Sequence, residues 1–150
     1  MNKNFNSIDI KVLILYFAWF VSIFATLGSL YFSEIKGFIP CDLCWIQRIF
    51  MYPLVVILGI GTFQSDISVR KFVLPLSILG GTISFFHYLE QKIPNFGGIK
   101  PCMYGVPCSS EYINWFGFIT IPFLALIAFV FITISMIILF PKNPKHKLLG

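Results

Sequence analysis

The sequence predicts an all-α integral membrane protein, a bundle of four transmembrane helices forming a single membrane domain over residues 1–150. Hydrophobic residues make up 57% of the chain and charged residues only 11%, whereas soluble domains carry about 25% charged residues. Mean hydropathy is +0.86, and the apolar residues are gathered into long runs. Because only helices or closed barrels satisfy the backbone hydrogen bonds inside lipid, these runs predict membrane-spanning helices.

The predicted spans cover residues 12–32, 43–63, 72–89 and 116–140. The first contains no charge and is long enough for the hydrocarbon core, which needs about 20 residues. No clean A-x-A site follows it, so we interpret it as an uncleaved span rather than a signal peptide. Arg48 is the only charge in the second span, near its start. The third span has Pro75 in its first turn and contains His87, and the fourth has no charge.

The distribution of basic residues predicts which side of the membrane each loop faces. Four spans place both termini and the turn at residues 64–71 on one side, and that side has the greater number of basic residues: Lys3, Lys11, Arg70, Lys71, Lys142, Lys145 and Lys147. The opposite side has fewer: Lys36, Lys92 and Lys100. The positive-inside rule therefore predicts cytoplasmic termini and two extracytoplasmic loops, each with one cysteine pair.

The net charge of +5 does not indicate a nucleic-acid-binding protein, because the basic residues lie beside apolar spans rather than in one patch. The even number of cysteines, in two close pairs, suits an oxidising compartment. Their predicted location outside the cytoplasm agrees with that inference.

The segment that begins the second span contains the most informative pattern in the chain. Cys41 and Cys44 have C-x-x-C spacing, and Arg48 and Tyr52 continue the same face if the segment is helical. Both a nearby arginine and a helix N-terminus stabilise the thiolate, which is the reactive form of cysteine. This pattern predicts a reactive dithiol at the membrane boundary.

The two cysteine pairs admit three hypotheses. Cys102 and Cys108 can form a structural disulfide in a short loop shaped by turn residues, whereas a C-x-x-C disulfide closes a small ring that stabilises little. Four thiolates suit zinc, but the second pair is wider than usual zinc half-sites and an outward location favours oxidation, so no metal is expected. A redox relay uses both pairs: the loop pair exchanges with a protein thiol, and the boundary pair meets a lipid-soluble quinone.

The string Cys-Asp-Leu-Cys-Trp-Ile-Gln-Arg-Ile-Phe-Met-Tyr-Pro, which starts at Cys41, resembles the start of the second span in the DsbB family of disulfide bond formation proteins. The segment from Tyr88 to Pro94 and the Pro101–Cys108 segment resemble the short BdbC-like branch of that family. The resemblance extends over the whole chain, with one cysteine pair in each outer loop. It implies a bacterial cell-membrane enzyme that reoxidises a DsbA-like thioredoxin-fold partner outside the cytoplasm and reduces ubiquinone or menaquinone.

The resemblance also implies a role for each cysteine. The partner would attack the loop disulfide at Cys102, and Cys108 would exchange with Cys41. Cys44 would contact the quinone, and Arg48 matches the family arginine that stabilises the charge formed there. Only five residues separate the loop cysteines here, fewer than in the best-known members, so the order of exchange does not follow from the resemblance.

Two further polar residues are candidates for the quinone site. His87 lies near the outer end of the third span, where ionisable residues are functional candidates by default. Gln47 can donate a hydrogen bond to a quinone carbonyl or pair across helices. The alternatives to the enzyme are a metal-binding membrane protein and a non-catalytic bundle with structural disulfides.

Overall fold

A computed structural model of the chain describes residues 3–93 and 116–140, with side chains from residue 10 of the first range. This part of the chain contains four long helices: α1 (Lys3–Leu30), α2 (Asp42–Gln64), α3 (Arg70–Lys92) and α4 (Ile121–Ile138). A π-helical turn at Tyr31–Ile35 extends α1, and a 3-10 turn at Ile67–Val69 precedes α3. All four helices are long and apolar enough to cross a membrane, which confirms the predicted fold class.

The helices pack in a ring in which each contacts its neighbours along the chain and α1 also contacts α4. Large apolar side chains at the centre are fully buried, among them Leu15, Leu54, Leu58, Phe129 and Ile132. Many others point outward, including Phe24, Phe63 and Phe72, each at least two-thirds exposed. An apolar exterior is expected for a bundle whose solvent is lipid.

A tryptophan joins α1 to α2 at a glycine. The indole nitrogen of Trp19 donates a hydrogen bond to the carbonyl oxygen of Val55 at 3.1 Å, which satisfies a polar group that would be costly to leave unpaired in lipid. A Cβ atom added at Gly59 would lie 3.0 Å from the same indole nitrogen. The missing side chain therefore lets the N–H edge of the Trp19 indole approach the backbone of α2 closely.

A second glycine contact joins α3 to α4. Phe129 is fully buried, and a Cβ atom at Gly80 would lie only 2.3 Å from its ring. One turn away, the hydroxyl of Thr133 donates to the hydroxyl of Ser77 at 3.0 Å. Small residues that allow close backbone approach, together with hydrogen bonds across helices, are the usual means of holding membrane helices together.

The two ends of the bundle have different residues. At one end α2 passes into α3 through a short turn, where Arg70 donates a hydrogen bond to the carbonyl oxygen of Leu139 at 2.5 Å. The guanidinium of Arg70 also lies 4.7 Å from the ring centre of Phe140. At the other end the last turns of α1 and α3 meet the first turns of α2 and α4, and the candidate site lies there.

The helix bounds differ from the predicted spans at α1, which begins at Lys3 rather than at residue 12, and at α4, which begins later than predicted. The predicted span starts at residue 116, but the helix begins at Ile121 because Phe116 and Gly117 both have positive φ angles, 55° and 81°. Pro122 lies in the first turn of α4, where its missing N–H costs no intrahelical hydrogen bond. Residues 116–120 are apolar but not helical, and hydropathy alone cannot tell such a segment from the start of a helix.

Candidate functional site at the N-terminus of helix α2

The C-x-x-C pair occupies the first turn of α2. Cys41 is the N-cap residue, with an extended backbone (φ −74°, ψ 172°), and its carbonyl oxygen accepts the first helical hydrogen bond from the Trp45 amide at 3.1 Å. Cys44 follows within the first turn. Both residues are free cysteines, and their Sγ atoms are 3.3 Å apart. The helix start therefore places two thiols in contact, as the spacing predicted.

A histidine from α3 completes the contacts of Cys41. Nε2 of His87 lies 3.6 Å from Sγ of Cys41, and the imidazole is 1% exposed. Its other ring nitrogen, Nδ1, lies 2.9 Å from the amide nitrogen of Gln47, which is also buried. The amide N–H of Gln47 thus donates to Nδ1, which leaves the proton of a neutral ring on Nε2, facing the sulfur.

These contacts favour the thiolate form of Cys41, which immediately precedes the membrane-spanning part of α2. The hydrogen bond with Cys44 lowers the pKa of Cys41 to about 4. Burial opposes this shift, and the hydrogen bond and charge of His87 add to it. A thiolate at neutral pH is both the attacking form of cysteine and, in a mixed disulfide, the better leaving group.

Arg48 lies one turn after Cys44 and is held by α1. Its guanidinium donates a hydrogen bond to the carbonyl oxygen of Ser29 at 3.1 Å and lies 5.3 Å from the ring centre of Trp45. The residue is half-buried. A charge in this position has no carboxylate contact among the described residues, so its field is available to an anion formed beside it.

The thiol pair opens onto a cavity of about 190 Å³ at this end of the bundle. All four helices contribute to its wall, which is mainly apolar and includes four phenylalanines, Phe24, Phe32, Phe38 and Phe129. The polar part of the wall includes the residues just described, Cys41, Cys44, Gln47, Arg48 and His87, together with Ser29, Tyr52 and Gln91. An apolar cavity with a few convergent polar groups is typical of a small-molecule site.

The structure brings together most of the predicted site residues, and Tyr52 also lines the cavity. Cys102 and Cys108 lie outside the described residues. Two features were not predicted: the contact of His87 with Cys41 rather than with a ligand alone, and the carbonyl oxygen of Ser29 as the acceptor for Arg48. The presence of a histidine and a glutamine in apolar spans was the available signal, but the pattern does not tell which helix faces which.

Comparison with known proteins identifies the family of the chain. The family model described as disulfide bond formation protein DsbB matches residues 11–139. Disulfide bond formation protein C of Bacillus subtilis is 67% identical over 91% of this chain and 98% of its own length. No solved structure matches the chain.

Two further relatives match the chain with lower sequence identity. A probable disulfide formation protein C 1 of Bacillus anthracis is 52% identical over 83% of this chain and 89% of its own length. A probable disulfide formation protein of Coxiella burnetii is 45% identical over 88% of this chain and 90% of its own. The chain therefore belongs to the DsbB family of disulfide bond formation proteins, on the short branch, and is a multi-pass bacterial membrane thiol–disulfide oxidoreductase.

Proposed function

We propose that this protein oxidises the dithiol of a DsbA-like thioredoxin-fold partner outside the cytoplasm and passes the two electrons to membrane quinone, either ubiquinone or menaquinone. The observation that supports this proposal is the position of the Cys41–Cys44 pair, which lies at the end of the bundle and in the wall of an apolar cavity. A dithiol in such a place can be reached by another cysteine and by a lipid-soluble oxidant.

The cavity fits a quinone head group in chemical character. Its wall is mainly apolar and aromatic, as a planar ring requires, and Arg48 and Gln47 provide N–H groups suited to carbonyl oxygens. A bound quinone supplies a two-electron oxidant that takes up two protons. Arg48 would hold and orient the oxygen on which negative charge develops, Gln47 would limit the tilt of the ring, and Cys44 would present its sulfur to the ring.

The thiol chemistry is an exchange in which electrons balance at each step. A partner dithiol reduces the Cys102–Cys108 disulfide and leaves as a disulfide. The resulting loop dithiol then reduces the Cys41–Cys44 disulfide and regains its own. In the second step a loop thiolate attacks Cys41, which forms a mixed disulfide and releases Cys44 for the oxidant. The other loop thiol then attacks the loop sulfur of that mixed disulfide, the loop disulfide forms again and Cys41 leaves as a thiolate, and a thiol of low pKa leaves faster. This order is favoured by the lowered pKa of Cys41.

We assign His87 and Gln47 as positioning residues for Cys41. The Nε2–H of His87 faces the sulfur at 3.6 Å and would stabilise the thiolate that exchange releases. Gln47 holds the ring in the tautomer that does this. His87 also lines the cavity. A contact between His87 and quinone is therefore compatible with this positioning role and stays a prediction.

The test is an acid-quenched count of alkylatable thiols in native membranes, with respiratory quinone present and with quinone depleted. We expect oxidised cysteines when quinone is present and an accumulation of thiols when it is depleted. Cysteines that stay oxidised in both conditions would show structural disulfides and overturn the proposal. Cysteines that stay reduced in both conditions would also overturn it.

A matched variant identifies the sulfur that meets the oxidant. Cys44→Ser keeps the size and polarity of the side chain but removes the thiol, so quinone reduction by the purified protein should be lost while the protein still inserts and folds. Met51→Leu is the control, because Met51 lines the same cavity without a thiol. Unchanged turnover in Cys44→Ser would contradict the relay.

A further inference from the structure

Three groups that bind soft metal ions lie together at the start of α2. The Sγ atoms of Cys41 and Cys44 and a ring nitrogen of His87 all lie within 4.8 Å of one another. We propose that the dithiol form of this site binds a soft divalent ion such as Zn²⁺ through these three atoms, and that the ion inhibits electron transfer. The inhibitory part rests on the proposed function, and the binding part does not.

The distances fit a tetrahedral ion. Zinc lies about 2.3 Å from thiolate sulfur and about 2.0–2.1 Å from imidazole nitrogen. Tetrahedral angles then place two sulfurs about 3.8 Å apart and a sulfur and a nitrogen about 3.6 Å apart. The Sγ–Sγ distance here is 3.3 Å and the distance from Sγ of Cys41 to Nε2 of His87 is 3.6 Å. Binding therefore requires the sulfurs to separate by about 0.5 Å, and the sulfur of Cys44 and the nitrogen of His87, which lie within 4.8 Å of each other, to settle about 3.6 Å apart.

Gln47 is placed to support the metal-bound tautomer of His87. A metal ion takes the lone pair of Nε2, so the ring proton moves to Nδ1 and needs an acceptor. Nδ1 already lies 2.9 Å from the amide of Gln47, and a half-turn of that amide presents its oxygen instead of its nitrogen. Metal-binding histidines usually donate their second N–H to such a partner.

The fourth position of the ion opens onto the cavity. Cys41, Cys44 and His87 all lie in the cavity wall, so a water molecule can complete the tetrahedron, as in zinc sites that have three protein ligands. The two thiolates balance the charge of the ion. The positive charge of nearby Arg48 lowers the affinity, which favours a reversible inhibitor over a permanent structural ion.

Binding depends on the redox state of the pair. Cys41 already binds as a thiolate, whereas the thiol of Cys44 loses its proton when it binds the ion; no electron is transferred, so affinity rises with pH. The disulfide form offers no thiolate and binds no ion. While the ion is bound, both sulfurs are ligands, and neither can attack a disulfide or deliver electrons to an oxidant.

The binding experiment uses the full chain with Cys102→Ser and Cys108→Ser, which removes the loop thiols. The protein is reduced, purified in detergent without oxygen and titrated with Cd²⁺, whose bond to thiolate gives an ultraviolet charge-transfer absorption. We expect saturable binding of one ion per chain and none after the pair is oxidised to a disulfide. Absence of this absorption in the folded, reduced protein would overturn the site.

Variants test whether His87 is a ligand. In this background His87→Ala should weaken Cd²⁺ binding by at least about tenfold, and Gln47→Ala by about 10- to 100-fold, the usual effect of losing a partner of a metal-binding histidine. Met51→Leu, in the same cavity, should bind as the parent does. If His87→Ala does not fold, Gln47→Ala decides the question. Equal affinity in the parent and in the folded variants would show binding by the cysteines alone and overturn the three-ligand site.

The inhibition experiment uses the chain with all four cysteines. Zn²⁺ should slow dithiol-dependent quinone reduction, and a chelator should restore the rate. When the rate of each protein is expressed as a fraction of its own rate without Zn²⁺, His87→Ala should need a higher Zn²⁺ concentration than the parent to reach half of that rate. No turnover without metal would contradict the proposed function, and the Cd²⁺ titration would still decide the site. Normal turnover with no Cd²⁺ binding would contradict the site alone.

Discussion

Nε2 of His87 lies 3.6 Å from Sγ of Cys41, although the two residues are 46 positions apart in the chain and belong to different helices. The contact joins the end of α3 to the start of α2. It places an imidazole, rather than the nearby guanidinium of Arg48, beside the sulfur whose pKa is lowered. The imidazole and the guanidinium of the site thus have separate neighbours: His87 contacts Cys41, and Arg48 lines the cavity and contacts α1.

The first prediction concerns the reactivity of Cys41 as a function of pH. With a pKa of about 4, Cys41 is a thiolate throughout the range from pH 5 to 8, and the thiolate fraction falls only as pH drops through that pKa. An ordinary thiol, with a reference pKa of 9.0, reacts slowly at pH 5–6. In the Cys102→Ser, Cys108→Ser background, alkylation of the reduced pair should therefore already be fast at pH 6, as measured by stopped alkylation and mass spectrometry.

The second prediction separates the two contributions to that pKa. Cys44→Ala removes the hydrogen bond that is the largest cause of the shift, so the alkylation midpoint of Cys41 should rise by more than one pH unit. Cys44→Ser keeps a donor and should shift it less. A profile of the alanine variant equal to that of the parent would show that the thiol of Cys44 does not stabilise the thiolate.

The third prediction concerns His87. His87→Ala should also raise the midpoint for Cys41, but by less than Cys44→Ala, because its contribution is the smaller one. Gln47→Ala should move the midpoint in the same direction, since it releases the ring. A purely structural role of His87 would lower thermal stability without moving the pH profile, and the two measurements on the same preparation distinguish these cases.

The fourth prediction concerns Arg48. Arg48→Ala should lower kcat/KM for quinone by about 10- to 100-fold, because a hydrogen bond from a charged donor contributes about 1.5–3 kcal/mol. Arg48→Lys keeps the positive charge but lacks the planar guanidinium with its several N–H donors, so its rate should lie between those of the parent and Arg48→Ala. A variant that folds poorly yet keeps its rate per folded molecule would indicate that Arg48 anchors α2 to Ser29 and nothing more.

The fifth prediction tests the packing of α3 on α4. A Cβ atom at Gly80 would lie 2.3 Å from the buried ring of Phe129, whereas one at Gly81 would make an ordinary contact at 3.4 Å. Gly80→Ala should therefore cost about 1–3 kcal/mol from overpacking, more than the roughly 0.5–1 kcal/mol by which alanine favours a helix over glycine. Gly81→Ala should be neutral or slightly stabilising. Thermal unfolding in detergent measures both, and equal melting temperatures would contradict the close contact.

The sequence predicted the features that depend on a single helix. Hydropathy located four spans, and helical spacing placed Cys41, Cys44, Arg48 and Tyr52 on one face, which lines the cavity. The contacts of His87 with Cys41 and of Arg48 with Ser29 depend on the rotation and depth of one helix against another. Those are set by packing at sites such as Gly59 and Gly80, which periodicity does not specify.

The start of α4 shows the same limit for the backbone. The apolar run from Phe116 to Thr120 is as compatible with lipid as the helix that follows it, so hydropathy includes it in the span. Its course is decided by the left-handed conformations at Phe116 and Gly117. The topology predicted from basic residues and the roles of Cys102 and Cys108 stay predictions, the latter because both cysteines lie outside the described residues.

The three-residue spacing of Cys41 and Cys44 also places the two thiols at different depths along the axis of α2. Each residue of a helix advances about 1.5 Å, so Cys44 lies about 4.5 Å further along the axis than Cys41. Cys41 stands at the helix end, and Cys44 stands one step further toward the hydrocarbon. The two sulfurs are in contact, and in the proposed relay a protein thiol would reach Cys41 from the helix end while a lipid-soluble oxidant would reach Cys44 from the membrane side. Under that proposal, a rise of less than one helical turn would keep an aqueous reductant and a membrane-dissolved oxidant apart while electrons pass between the two sulfurs.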